Sequence, residues 1–139
     1  MAGMVMNKAE ERSLAFLVGK SGYTVRTLIL RLFKNDITPA EDDVVGDYTE
    51  ATFTGYAEKA LASGDWTISG TTPTQAQAAS QTFTSSANQT LQNIYGFYLV
   101  SATDGELTHA FRFADAPRPI ANNGDFINVV ARITHANVT

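Results

Sequence analysis

Cysteine is absent from the 139 residues of this chain. Its absence excludes disulfide bonds, thiolate metal sites and cysteine nucleophiles, and it leaves the redox compartment undecided. No apolar run approaches the roughly 18 residues that a membrane-spanning helix needs. The N-terminal stretch MAGMVMNKAEER contains acidic residues and lacks an apolar h-region, so it is not expected to be a signal peptide. The sequence therefore predicts a protein with no membrane partner.

Charged residues are also scarce. They make up 17% of the chain, against about 25% in typical soluble domains. Hydrophobic residues make up 44%, which at this length is enough for one core, so one main domain is expected. Low charge suits β-strands that contact neighbours on both sides, and those neighbours can include other subunits.

The charges that do occur are segregated. Residues 1–35 contain six basic and two acidic side chains, a balance of +4, whereas residues 36–65 contain eight acidic and one basic, a balance of −7. The pI of about 5.0 argues against nucleic acid as a partner, because nucleic-acid-binding domains usually have an alkaline pI. Two readings of the segregation stay open. The basic segment docks on an acidic surface of its own chain or of a neighbour, or both segments are ordinary solvated faces.

The helix signal is confined to the N-terminal region. Asn7 and Glu10 have the spacing of a capping box, and Leu14 and Leu17 follow at helical spacing. A glycine directly after this pattern is a typical helix stop. These features predict a short amphipathic helix over 8–18, which can pack on its own sheet or reach a partner.

After residue 22 the apolar period changes to two, which is typical of strands. We therefore divide the chain into an N-terminal arm with a short helix, 1–22, and a β-domain, 23–139. The alternating segments predict seven strands, at 24–33, 53–61, 65–69, 75–85, 94–102, 107–113 and 126–135. The first and last are apolar on both faces, as in strands covered on both sides, and 75–85 is a polar candidate for an edge. The fold class expected is mainly β, an antiparallel β-sandwich with a jelly-roll or Greek-key path.

One side of these strands is apolar throughout, and its side chains are expected to form the core. Gly55 interrupts the second strand and suggests a bulge or a close backbone approach. The expected core residues are Leu28, Leu30, Leu32, Phe53, Trp66, Ile94, Phe111, Phe113, Ile127, Val129 and Ile133.

The most legible segment is NIYGFYLVSATDGELTHAFRF, residues 93–113. Two apolar runs flank Asp104-Gly105, a pair favoured in type I′ hairpin turns. Alternation places Tyr95 and Phe97 on one face of this hairpin. An isolated two-stranded ribbon is barely stable in water, so the hairpin must lie inside a sheet or against another chain.

Residues suited to catalysis are few. His109 and His135 are the two histidines, and neither belongs to a nucleophile elbow or to a metal-ligand spacing. No glycine-rich phosphate loop is present. The sequence therefore predicts no catalytic residues, no cofactor and no enzymatic activity.

An acidic loop follows the first strand. Its oxygen-bearing side chains are Asp42, Asp43, Asp47, Thr49 and Glu50. Such oxygens can bind calcium, although they lack the spacing of an EF-hand loop. A solvated acidic loop without metal is the favoured reading.

Several segments resemble small proteins encoded in tailed-bacteriophage genomes. They are LRLFKNDITPAEDDVVGDYTEATFTGYAEKAL, then a tryptophan at Trp66, NIYGFYLVSATDGELTHAFRFADAPRPI and NNGDFINVVARI. The resemblance covers roughly residues 28–135. It implies a virion structural protein, either a capsid decoration (cement) protein or a tail, baseplate or fibre component that takes part in assembly or receptor binding. It carries over no catalytic residues.

A role as a decoration protein leads to further expectations. The protein would be assembled into the virion in the host cytoplasm and would bridge subunits of the major capsid protein. The arm would reach a neighbour, and the hairpin would add strands across an interface to give a homo-oligomer, with a trimer favoured. The expected interface residues are Lys8, Arg12, Leu14, Leu17, Tyr95 and Phe97.

Overall fold

The computed structural model describes residues 4–18, 27–70 and 74–134, apart from the side chains of Lys8, Arg12 and residues 15–17. These ranges contain one α-helix, α1 (Asn7–Leu17), and twelve strands. The strands are β1 (Met4–Val5), β2 (Leu28–Phe33), β3 (Lys59–Leu61), β4 (Trp66–Ser69), β5 (Gln75–Ala78), β6 (Gln81–Thr84), β7 (Gln92–Ile94), β8 (Gly96–Ser101), β9 (Leu107–Arg112), β10 (Arg118–Ile120), β11 (Phe126–Val129) and β12 (Arg132–Thr134). None of the helices in these ranges is long and apolar enough to cross a membrane.

All strand pairs in the described ranges are antiparallel. The largest sheet has five strands in the order β1-β9-β8-β2-β3. Three smaller sheets have the orders β12-β5-β4, β10-β7 and β11-β6. The predicted fold class is confirmed, since the chain is mainly β with antiparallel sheets in a sandwich-like arrangement and one short helix.

The main core lies between the five-stranded sheet and the smaller sheets. Leu30 and Leu99 are cross-strand partners on β2 and β8 and are both fully buried. Phe83 and Ile127 enter the same cluster from the β11-β6 sheet. All eleven side chains predicted for the core belong to this cluster or pack against it. Leu28, Trp66, Phe111, Phe113 and Ile133 are the partly buried ones.

A second core covers the opposite face of the five-stranded sheet. Phe33 on β2 and Tyr98 on β8 point to this side, and Met6 and Tyr48 belong to the same buried cluster. The Tyr48 ring stacks on that of Tyr98 at a centroid distance of 5.3 Å and meets the Phe33 ring edge-on at 5.0 Å. Because the acidic loop supplies Tyr48, this loop is a cover for apolar surface. The two cores explain why β2 is apolar on both faces.

The predicted helix is confirmed with a shift of one residue, since α1 begins at Asn7 and ends at Leu17. The first predicted strand, 24–33, is confirmed from Leu28 onward, and its residues 24–26 lie outside the described ranges. The glycine proposed as the helix stop, Gly19, also lies outside them. The predicted strand 65–69 is confirmed as β4, which begins one residue later, at Trp66.

The second predicted strand, 53–61, was too long. Only Lys59–Leu61 is strand. Gly55 has a φ of 90°, and an added Cβ there would stand 2.8 Å from the carbonyl oxygen of Thr84 and 2.9 Å from the nitrogen of Ser86. The expected close backbone approach is therefore confirmed, and it replaces the strand with a turn.

Two other predicted strands are broken in the middle. The segment 75–85 divides into β5 and β6, and β5 is the central strand of its sheet, so the edge assignment was wrong for it. The segment 126–135 divides into β11 and β12, and Phe126 is exposed whereas Ile127 is buried. Burial alternates along β11, so this part of the segment has one apolar face, and each half joins a different sheet. The connection before it contains one further strand, β10.

The hairpin turn differs from the type I′ turn predicted for Asp104-Gly105. That turn needs positive φ at both central residues, and Gly105 (φ 73°) meets this whereas no described non-glycine residue does. The Gly105 N–H donates to the Ser101 carbonyl oxygen at 2.8 Å, and the Ser101 N–H donates to the Glu106 carbonyl oxygen at 2.9 Å. A register shift between Leu99 and Val100 accompanies this longer loop.

Candidate interaction surfaces

The N-terminal segment is anchored in the domain at its beginning. Met4 pairs with Ala110 on β9, Met6 is buried in the second core, and the Asn7 N–H donates to the carbonyl oxygen of Glu41 at 3.3 Å. Residues 4–7 of the predicted arm therefore belong to the same body as the β-domain. The contact with Glu41 joins the basic segment to the acidic loop of its own chain.

The last turn of α1 and the residue directly after it expose apolar side chains. Leu14 is 63% exposed and Val18 is 69% exposed. The two are four residues apart and the Val18 N–H donates to the Leu14 carbonyl oxygen at 3.1 Å, so they share one side of the turn. Leu14 thus lies at the surface, as an interface residue must. The side chains of the other predicted arm residues, Lys8, Arg12 and Leu17, lie outside what the structure describes.

The hairpin is covered by its own chain. Strand β8 lies between β9 and β2, and all six of its residues are buried. Phe97 is only 6% exposed and stacks on Phe111 with ring centroids 4.6 Å apart. Tyr95 is partly buried on the opposite face, beneath the guanidinium of Arg112 at 5.3 Å. Phe97 therefore has no free surface for a partner in this structure.

Tyr95 and Phe97 do not share a face, contrary to the sequence interpretation. Tyr95 lies at the break between β7 and β8, where its N–H donates to the Phe33 carbonyl oxygen and its own carbonyl accepts from Phe113. This break changes the phase of the alternation, so Ile94 and Phe97 enter the main core together while Tyr95 packs against the second core.

The acidic loop uses its carboxylates to close turns. Asp43 Oδ2 accepts the Ala40 N–H at 2.9 Å and the Tyr48 hydroxyl at 2.6 Å, and Asp47 Oδ2 accepts the Val44 N–H at 2.8 Å. Burial of Tyr48, together with its bond to Asp43, raises the pKa of this phenol. No cluster of three or more metal-ligating side chains occurs within the described ranges.

An ion-pair network joins β2 to the end of the acidic loop and the segment that follows it. The Arg31 Nε donates to Glu58 Oε2 at 2.7 Å and lies 3.6 Å from Glu50 Oε1. The Tyr56 hydroxyl donates to Glu50 Oε1 at 2.9 Å and accepts the Leu32 N–H at 3.2 Å. Burial, reinforced by the bond to Glu50, raises the pKa of Tyr56. Arg31 thus pairs with both carboxylates, and the network fixes this segment to the sheet.

Of the two histidines, His109 is buried on β9, with Nδ1 3.0 Å from the Thr108 hydroxyl. His135 lies outside the described residues. A cleft of about 380 Å³ opens between the start of α1, the acidic loop and the hairpin turn. Met6 and Leu107 are among its lining residues, so the cleft lies over the second core.

A second surface is formed by β4 and its neighbours. Ile68 is 68% exposed on β4. A shallow groove of about 460 Å³ runs beside it and is lined by Thr67, Ser69 and Gln77 among others. None of the interface residues predicted from the sequence lies on this surface, so the sequence analysis missed it. One signal in the sequence does indicate it, because no residue from Trp66 to Thr103 is charged.

No family model, curated protein or solved structure matches this chain. The arrangement of the described residues offers exposed apolar side chains on α1 and on β4, and its carboxylates serve as turn caps and ion-pair partners. These features suit contacts between proteins.

Proposed function

We propose that the protein is a non-enzymatic structural component of a tailed-bacteriophage virion, and specifically a capsid decoration (cement) protein that stabilises the head by bridging subunits of the major capsid protein. The resemblance of the segments between residues 28 and 135 to phage-encoded proteins supports this assignment. The protein would be assembled into the virion in the host cytoplasm.

The observation that carries the proposal is an exposed apolar pair, Leu14 on α1 and Val18 directly after its end. Strand β1 and Met6 fix the start of α1 to the β-domain. The helix therefore presents its apolar side chains from a fixed base, which suits a subunit that bridges its neighbours. Burial of an exposed Leu or Val side chain contributes about 1.5–3 kcal/mol, which is useful where many copies bind one lattice.

Deletion of the arm would not test the contact between α1 and the capsid cleanly. Deleting residues 1–21 would remove β1 and the buried Met6, so a loss of binding would report unfolding as well as a lost contact. The double substitution Leu14→Ser/Val18→Ser leaves buried residues unchanged. We expect it to keep the wild-type circular dichroism spectrum and to weaken binding to empty capsids.

Leu91→Ser is the matched control, because Leu91 is 57% exposed and belongs to the β-domain. It should bind capsids as wild type does. Full capsid binding by the Leu14→Ser/Val18→Ser variant would argue against α1 as the bridging element. Copy number in the particle tests the role itself, since decoration requires many copies and a tail component only a few.

A tail, baseplate or fibre role is the second candidate. Phe126 favours it, because this aromatic residue is exposed at the start of β11, directly after the loop at 121–125. Exposed aromatics in loops at one end of a sandwich suit receptor binding. A low copy number together with loss of host adsorption in Phe126→Ser particles would support this alternative.

A homo-oligomer, with a trimer favoured, remains part of the proposal. The hairpin is not the surface for it, because both faces of β8 are covered by the chain itself. Another surface must join the copies.

A further inference from the structure

Strand β4 is an open edge of its sheet. Within the described ranges its backbone bonds to β5 on one side and to no strand on the other. The Ala79 N–H donates to the Asp65 carbonyl oxygen at 2.8 Å, so Asp65 and Ala79 form a hydrogen-bonded pair of the ladder. Bonded and non-bonded pairs alternate in antiparallel sheets, so Thr67–Gln77 is the next bonded pair. The N–H and C=O of Ile68 therefore point to the open side.

The side chain of Ile68 extends beyond the main core. Its cross-strand partner is Ala76, which is paired in turn with Ile133 on β12. At the other end of β4, Trp66 pairs with Ala78 and packs on the main core. Ile68 lies on the same face two residues further along, yet it is 68% exposed. An apolar side chain and two backbone groups thus meet solvent at one residue.

Strand β4 is short, but it lacks the charges, prolines and bulges that also keep sheet edges from pairing. Natural edge strands carry lysine, proline or a bulge, and β4 contains none of these. Strands β12 and β3 are also sheet edges, and they carry Arg132 and Lys59 respectively. In a two-fold contact a residue near the axis lies close to the same residue of the second copy. Like charges on such an edge would therefore face each other and repel. The neutral β4 has no side-chain charge that would repel a second β4.

We propose that β4 of one chain pairs with β4 of a second copy, antiparallel and around a two-fold axis, with Ile68 opposite Ile68 of the other copy. Cross-strand partners share a face, so only registers that keep Ile68 on the apolar face are allowed. The register centred on Ile68 meets this condition, and the two Ile68 residues exchange their free N–H and C=O groups. Thr67 then lies opposite Ser69 of the second copy.

The contact is small. A stable interface buries about 800 Å² per partner, far more than a four-residue strand supplies. The pairing is therefore weak in dilute solution and becomes effective where copies are held side by side at high local concentration. It does not depend on the virion role, and it can link dimers in solution or neighbouring oligomers on a particle.

Cross-linking tests the register directly, because the chain has no cysteine of its own. Residues in a bonded antiparallel pair have Cα atoms about 5.5 Å apart, which is inside the range of about 4.4–6.8 Å for disulfides. The variant Ile68→Cys, oxidised at high protein concentration, should give a covalent dimer. Thr67→Cys on the same strand and Leu91→Cys elsewhere are the controls, since both side chains are exposed.

We expect the Ile68→Cys dimer to form several-fold faster than either control dimer. Equal rates for the three thiols would indicate random collision and would overturn the proposal, and faster dimerisation of Thr67→Cys would overturn this register. A second measurement uses the unmodified chain. The amide of Ile68 should become more protected from hydrogen exchange as protein concentration rises, whereas protection that is independent of concentration would overturn the pairing.

Discussion

The aromatic ring of Phe33 lies over the α-carbon of Gly96, its partner in the pairing of β2 with β8. A Cβ built at position 96 would stand 2.6 Å from two ring carbons of Phe33 and would overlap the carbonyl oxygen of Phe111. Phe33 is fully buried between Tyr48 and Tyr98 and has no room to move. The absence of a side chain at Gly96 is therefore what allows the second core to close on the sheet.

The first prediction concerns this contact. Gly96→Ala should destabilise the protein by about 3 kcal/mol, the upper end of the usual range for overpacking, because the methyl group overlaps buried backbone and ring atoms. Chemical denaturation followed by circular dichroism would measure the loss. Gly64→Ala is the control, since a Cβ there meets nothing within 4 Å. A Gly96→Ala protein with wild-type stability would mean that β8 and Phe33 are not packed as described.

The period-two pattern was sufficient to predict the fold class and the main core. Leu30 and Leu32 alternate with Arg31, and their burial follows from that alternation alone. The breaks within 75–85 and 126–135 were missed because no proline marks them. At those points the chain crosses between sheets through small residues such as Ala79 and Ser80, which local pattern does not distinguish from strand.

The candidate contact residues were harder to predict. Phe97 and Ile68 look alike in the sequence, since each is an apolar residue in an alternating strand. One is buried and the other exposed because β8 is central in its sheet whereas β4 is an edge. Strand order depends on long-range pairing, so local periodicity cannot supply it.

The second prediction tests the main core. Leu30→Ala should cost about 2–5 kcal/mol, the sum of lost transfer free energy and the cavity left behind. Leu30 is fully buried between β3 and β8, whereas Leu91 is largely exposed. Leu91→Ala should therefore change the free energy of unfolding by less than about 0.5 kcal/mol. Similar effects for both variants would contradict the placement of β2.

The third prediction concerns the hydroxyl of Tyr56. Tyr56→Phe removes the acceptor of the Leu32 N–H and the donor to Glu50. A backbone donor left without a partner costs about 1–3 kcal/mol, so urea denaturation should reveal a loss of that size. Glu50→Gln keeps an oxygen acceptor for Tyr56 and should cost less. The reverse order would show that the ion pair with Arg31 outweighs the hydroxyl.

The fourth prediction concerns the anchoring of the N-terminal segment. Met6→Ala should destabilise the protein by about 2–5 kcal/mol, because Met6 is 2% exposed in the second core. Leu14→Ala truncates a side chain of α1 that is 63% exposed, so it should have little effect on thermal unfolding. If Met6→Ala melted as wild type does, residues 4–6 would not be part of the folded body.

The last prediction is a pH dependence. Asp125 Oδ2 accepts the N–H groups of Ala121 and Asn122 at 2.9 and 2.8 Å, and these bonds lower the pKa of Asp125. A carboxyl whose folded pKa is lowered stabilises the protein above its unfolded pKa of about 3.9. That stabilisation is lost as pH falls through the folded pKa. Asp125→Asn should therefore melt at a lower temperature than wild type at pH 7, and this difference in melting temperature should close as pH falls below about 4.

Asp42→Asn removes the same charge from an exposed position in the acidic loop and serves as the control. A gap between wild type and Asp125→Asn that stays constant from pH 7 to pH 2.5 would show that the charge of Asp125 does not stabilise this turn.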